Sequence, residues 1–211
     1  MSSAVRGGTR WRRFAVVMVP SVAATAAIGV AMAQGALAAS FSVSGQSFKV
    51  TTDKLDGEGF VQYGSLAKGN DLKGNPTLHP VAVSGFKKAT ISNMCQSVVT
   101  PDVPVFGSVS LMLKAGTDAA NPVVAENLYL DVADLDADAE FSNIDIGVAA
   151  GQAKKGPGIQ KGTEANPFGF AQQADRAVLT NVKQRAWATS AGTFKLNGLS
   201  LRLHKGVKEC Y

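Results

Sequence analysis

Histidine and cysteine are both scarce in this chain, with two of each among 211 residues. His79 and His204 are the only imidazoles, so a Ser-His-Asp relay would have to use one of them. No Gly-x-Ser-x-Gly turn is present to carry the serine. Cys-x-x-Cys, His-Glu-x-x-His and a glycine-rich phosphate loop ending in Lys-Ser/Thr are also missing, which removes the common zinc, metalloprotease and nucleotide sites; no cofactor is expected. Acidic side chains are absent before Asp53, whereas Arg6, Arg10, Arg12 and Arg13 crowd the start. Four of the five formal positive charges therefore belong to the N-terminus, and the remaining 17 basic and 16 acidic groups nearly cancel. A balance of that kind lacks the uncompensated cations that phosphate backbones demand, so nucleic acid is not expected as a partner.

What the N-terminus does contain is an uncharged apolar run from Phe14 to Ala38, ending in Ala36-Leu37-Ala38. A basic start, an apolar core and small residues at the last positions form an export signal, with cleavage expected after Ala38. The alternative is a retained anchor over residues 14–34, long enough to cross a bilayer, and only in that case is the membrane a partner. Alanine and valine dominate the run and Pro20, Ser21 and Thr25 interrupt it, which favours cleavage. Arg12-Arg13 runs straight into Phe14 without the spacer of a twin-arginine signal. Residues 39–211 are then a single exported domain, secreted or held at the cell surface. In an oxidising compartment its two cysteines, Cys95 and Cys210, allow one pairing, which ties the chain end to its middle.

From Ala39 onward, apolar and polar residues alternate in short runs, the period of half-buried strands. Phe41 to Val43, Phe48 to Val50, Phe60 to Tyr63, Val81 to Val83, Ala89 to Ile91, Val103 to Leu113, Leu128 to Val132, Ile144 to Ile146, Val178 to Thr180 and Phe194 to Leu203 all read this way. Eight to ten strands bounded by Gly, Pro, Asn and Asp predict an all-β fold: an antiparallel sandwich, a barrel or one long curved sheet with long surface loops. Residues Gly64–Thr77 and Gly151–Pro167 are expected as exposed loops, and Phe168–Arg176 as one short helix. Asparagine recurs between apolar residues in Ile91-Ser92-Asn93-Met94, Phe141-Ser142-Asn143-Ile144, Leu179-Thr180-Asn181-Val182 and Leu196-Asn197-Gly198-Leu199. The spacing is too irregular for a solenoid and predicts strands sharing a recurring kink.

Three constellations could carry function. Asp134, Asp136, Asp138 and Glu140 share one face if their segment is a strand, a row of hard oxygen ligands that could hold Ca²⁺ weakly. Ala139 stands where a calcium loop needs glycine and Asp145 where it needs glutamate, so a solvent-facing charged strand is the expected reading and no metal is assigned. Lys154, Lys155 and Lys161 lie in a stretch whose single acid is Glu164, making them the expected contact for an acidic partner in the cell envelope. Trp187, Phe86, Phe106, Phe141, Phe168 and Phe170 are candidates to line a pocket for lipid or another apolar ligand.

Several segments resemble a secreted family of unknown function from filamentous actinobacteria. They are Arg6-Gly7-Gly8-Thr9-Arg10-Trp11, Gly35-Ala36-Leu37-Ala38-Ala39-Ser40-Phe41, Lys54-Leu55-Asp56-Gly57, Gly59-Phe60-Val61-Gln62-Tyr63, Met94-Cys95-Gln96-Ser97, Asn143-Ile144-Asp145-Ile146-Gly147, Asn166-Pro167-Phe168-Gly169-Phe170-Ala171-Gln172-Gln173 and Glu209-Cys210-Tyr211. The resemblance runs over essentially the full length and implies export and a two-cysteine framework. Some relatives bear the label cholesterol esterase, which implies a lipid-ester or sterol-ester hydrolase but supplies no catalytic residues to place here. The residues themselves favour a non-catalytic protein that binds an apolar ligand or envelope partners, with the hydrolase as the alternative.

Overall fold

The computed structural model describes residues 43–211, all within the compact unit Ser40–Tyr211. The expected export segment 1–38, its alternative as an anchor over 14–34, and Phe41 lie outside the described residues.

Nine strands dominate: β1 (Phe48–Asn70), β2 (Pro76–Ser92), β3 (Met94–Val103), β4 (Gly107–Ala115), β5 (Val123–Ser142), β6 (Asp145–Ala149), β7 (Phe170–Ser190), β8 (Thr193–Lys195) and β9 (Ser200–Lys205). A 3-10 turn at Ala150–Gln152 is the single helical element among the described residues.

The nine strands resolve into four long antiparallel paths. β2 and β3 are consecutive along β1, separated by Asn93 alone, with rungs from Asn70↔Pro76 to Lys54↔Ser92 and then Thr51↔Cys95 to Lys49↔Ser97. On their far side lie β5 against β2 and β4 against β3. β6 prolongs β5 along β7, while β7, β8 and β9 run back beside β5 and β4. Finally β7 pairs with β1, from Phe48↔Ala186 to Tyr63↔Ala171, so β1, β2, β5 and β7 hydrogen-bond in a cycle. The sheet is ring-like but not a barrel. Pairing of β2 with β5 stops at Ala82↔Val132, beyond which β2 pairs only with β1 and β5 only with β7.

A strand of 20 or more residues cannot close such a ring while straight, and left-handed residues supply the bends, Gly59 (φ 63°) in β1 and asparagine in the other paths. Asn93, Asn127, Asn143 and Asn181 have φ of 52°, 48°, 54° and 53°, in the left-handed region that asparagine tolerates better than other side chains. Across each of them the inward residues are three apart instead of two: Ile91 and Met94, Ala125 and Leu128, Phe141 and Ile144, Leu179 and Val182. Three of the four amides are anchored to a carboxylate, Asn93 donating to Asp53 at 3.0 Å, Asn143 to Asp175 at 2.7 Å and Asn181 to Asp138 at 2.8 Å. The recurring kink read from the sequence is a left-handed asparagine at Asn93, Asn143 and Asn181; Asn197 instead sits in the turn between β8 and β9, where Gly198 takes the positive φ, and Asn127 is a member that reading missed.

Two apolar clusters fill the two faces of the sheet. Phe60 and Val61 are adjacent on β1 and enter different ones. The inner cluster collects Leu55, Phe60, Phe86, Leu128, Leu130, Leu179 and Val182 from all four ring strands. Gly57 belongs there because a Cβ would lie 2.2 Å from the Phe86 ring. The outer cluster packs Val61, Tyr63, Val81, Val83 and Ala188 beneath residues 150–167.

Several local expectations are corrected. The helix expected over Phe168–Arg176 is the start of β7, where pairing to β1 and β6 on either side overrides a weak propensity. The loop expected over Gly64–Thr77 is mostly strand, reduced to a turn at 71–75 in which Asp71 accepts from Lys73 N and Asn75 N, both at 2.8 Å. Val103–Leu113 and Phe194–Leu203 are each split by a turn, and Val81–Val83 and Ala89–Ile91 are parts of one strand. Residues 151–167 do lack strands, but they are packed instead of exposed throughout: Gly156 is buried and a Cβ on it would meet Val61 Cβ at 2.4 Å.

The disulfide joins Cys95 on β3 to Cys210 as expected. Ser97 and Ser110, both fully buried, hold the C-terminal tail beside it: Ser97 Oγ accepts from Cys210 N at 3.0 Å, and Ser110 Oγ accepts from Lys208 N at 2.8 Å while donating to Gly206 O at 2.7 Å.

If the kinks set the curvature, Asn181→Ala should cost about 1–2 kcal/mol, since alanine is penalised in the left-handed region. Asn181→Gly should cost less, because it keeps the conformation and loses only the Asp138 bond; denaturant unfolding of both variants measures the order.

Candidate functional site

Inside the ring the packing leaves an apolar cavity of about 150 Å³. β1 contributes Leu55 and Phe60, β2 Phe86, β5 Leu130, Leu135, Ala137, Ala139 and Phe141, and β7 Leu179 and Val182. Phe60 stands at the centre, its ring centroid 5.3 Å from both Phe86 and Phe141 in tilted contacts. A narrow extension of about 30 Å³ continues past Leu55, Leu130 and Val182 toward Ile91 and Met94. Leu135, 38% exposed, marks the side where β5 has parted from β2. Gln62, Ser84 and Gln184 are the polar residues of the lining. Gln62 donates to Ser84 Oγ at 2.9 Å and accepts from Gln172 at 2.6 Å, so its amide is oriented before any ligand arrives.

Of the six aromatics proposed for a pocket, the structure brings together two, Phe86 and Phe141, and adds Phe60. Phe106, Phe168 and Phe170 are exposed, and Trp187 stacks on His79 at 3.5 Å in the outer cluster. Phe60 was visible as a strand residue. Its partnership with Phe86 follows from the rung Phe60↔Phe86, which periodicity alone does not fix.

The other candidates are placed as follows. Asp134, Asp136, Asp138 and Glu140 do share an exposed face of β5, opposite Leu135, Ala137, Ala139 and Phe141, which face the cavity. The row meets donors on β7: Asp134 accepts from Arg185 Nε at 2.7 Å, Asp138 from Asn181, and Asp136 is in register with Lys183. Among the described residues no group of three or more His, Cys, Asp or Glu side chains is arranged to hold a metal.

Lys155 bonds Asp145 at 2.9 Å and Asn143 O at 2.6 Å. The backbone N–H groups of Lys154 and Lys155 both donate to Gln173 Oε1. Gln160 N donates to the Tyr63 hydroxyl at 2.8 Å, and the Tyr129 hydroxyl donates to Pro157 O at 3.2 Å. The three lysines therefore sit on a segment moored to the sheet; Lys154 and Lys161 are exposed.

Neither His79 nor His204 hydrogen-bonds a serine hydroxyl or a carboxylate among the described residues. A second cleft of about 280 Å³ lies between Leu66–Gly69 and residues 160–164, with the Asp131 carboxylate in its wall. Asp131 is 8% exposed, and burial pushes its carboxyl above the ordinary range. Burial likewise pushes the Tyr63 hydroxyl up to about 12.

A profile described as a family of unknown function, DUF6230, matches residues 44–211. The chain belongs to that family. No curated protein and no solved structure matches it. The family match begins one residue after the first described position and takes in the whole ring, the apolar cavity and the disulfide.

A raised carboxyl pKa in the folded state means that Asp131 favours folding while protonated and loses that contribution as pH rises above the ordinary value of 3.8. Asp131→Asn should therefore be more stable than the parent at neutral pH, by roughly 1 kcal/mol. Its advantage should vanish below pH 4; thermal melts across pH 3 to 8 measure the difference.

Proposed function

We propose that this protein is a non-catalytic binder that accepts a slim apolar group into the centre of the ring. The observation that carries the reading is the cavity walled by Phe60, Phe86, Phe141 and Leu130, with the oriented Gln62 amide in its lining. About 150 Å³ matches a benzene-sized guest or a few methylenes, whereas drug-sized ligands take about 300–1,000 Å³. An acyl chain entering end-on suits it; a fused sterol skeleton does not. The Gln62–Ser84 pair offers hydrogen bonds to a carboxylate, ester or hydroxyl at the polar end of such a chain. The basic, then apolar, N-terminal sequence supports action outside the cytoplasm, where acyl chains and envelope components are at hand.

A fluorescent polyene fatty acid titrated into the protein should gain emission, and extraction should release co-purified acyl lipid for mass spectrometry. Ala139→Trp fills the cavity from β5 and should weaken uptake about tenfold or more while leaving the melt cooperative. Uptake unchanged in that variant would locate the ligand elsewhere. Hydrolysis of nitrophenyl or sterol esters that disappears in His79→Ala or His204→Ala would replace the binding reading by a hydrolase.

A further inference from the structure

Among the described residues, a cluster of uncompensated positive charge lies away from the cavity, on the disulfide-bearing face of β3, β4 and β9. The rungs Lys114↔Ser200, Met112↔Arg202 and Ser110↔His204 put Lys114, Arg202 and His204 on one face. The returning tail adds Lys208, and together they line a groove of about 430 Å³ floored by Cys95, Met112 and Cys210. Glu209 is the one acid in the lining, and it is already bonded to Lys49 at 2.9 Å. Lys114, Arg202, His204 and Lys208 have no side-chain hydrogen-bond or ion-pair partner among the described residues.

The contrast with the rest of the surface decides the reading. Several basic residues elsewhere on the sheet meet acids, Arg176 meeting Asp56 and Arg185 meeting Asp134 across strands. Like charges gathered on adjacent strands without a counter-charge weaken a sheet. Here the arrangement is also held in place, because the disulfide and the Ser97 and Ser110 bonds fix the tail that supplies Lys208. From this geometry we infer that the groove is a binding site for a phosphate-bearing anion. Phosphate puts nearly two charges on three acceptor oxygens, which suits a planar guanidinium flanked by two ammonium groups and an imidazole. The groove shares no lining residue with the apolar cavity, so it stands or falls independently of the acyl-binding proposal.

The test uses the full chain at constant ionic strength with two kinds of probe. Inorganic phosphate and tripolyphosphate report a free or polymeric anion by calorimetry and by a rise in melting temperature. Phosphatidylglycerol vesicles against phosphatidylcholine vesicles report a lipid headgroup by co-sedimentation. Binding in either arm should weaken about tenfold in Arg202→Gln, and likewise in Lys114→Gln, as expected for the loss of one charged hydrogen bond. Lys73→Gln, on the 71–75 turn, should bind like the parent. Binding in neither arm, binding that Arg202→Gln and Lys114→Gln both retain, or an equal loss in Lys73→Gln would overturn the assignment. The two groove variants should melt no lower than the parent without anion, which separates lost binding from lost folding.

Discussion

Closure of β7 onto β1 is the constraint on which everything else in this molecule depends. Once the last long path pairs with the first, no ring strand is free to lie flat, and each must bend around a shared interior only one or two side chains wide. Left-handed asparagines and Gly59 provide the bends, Gly57 and Gly156 provide the close approaches, and Phe, Leu, Val and Ala side chains fill the interior. The apolar cavity belongs to the same geometry. It lies along the part of β5 that has left β2, where one wall of the ring is missing while Leu135 to Phe141 still face inward.

Charge is organised by the same register. The acidic row of β5 looks isolated along the sequence, yet across the strand it faces Arg185, Lys183 and Asn181. Asp56, held between Arg176 and Lys54, has a carboxyl lowered to about 2 by the guanidinium bond, despite partial burial. Among the described residues such cross-strand neutralisation does not reach the groove on β3, β4 and β9, where Lys114, Arg202, His204 and Lys208 converge.

Much of the fold was legible because strand alternation is a local signal. Phe60 to Tyr63, Leu128 to Val132 and Val178 to Thr180 announce themselves, and the repeated apolar-x-Asn-apolar pattern announced the kinks. What escaped was decided by partners distant in sequence. Gly64–Asn70 is polar and glycine-rich but becomes strand because β2 runs beside it, and Phe170–Arg176 becomes strand between β1 and β6. Residues 151–167 carry few apolar groups of their own and are ordered by Tyr63, Tyr129 and Gln173, which belong to the sheet. The sites follow the same division. Phe86 and Phe141 could be named from composition, whereas Lys114 and Arg202 are brought together across neighbouring same-face rungs of β4 and β9 and have no local signature.

The pairing of β1 with β7 also dictates an order of assembly. Its rungs join residues as far apart in sequence as Phe48 and Ala186, whereas β1 with β2 and β3 with β4 are hairpins joined by short turns. Loop-closure entropy favours the near pairings, so the meander grows hairpin by hairpin and the ring shuts last. Until it does, β1 presents the edge that will receive β7, unpaired over most of its length, to any neighbouring chain. The interior cavity, whose wall includes Leu179 and Val182 of β7, is complete only once that pairing has formed.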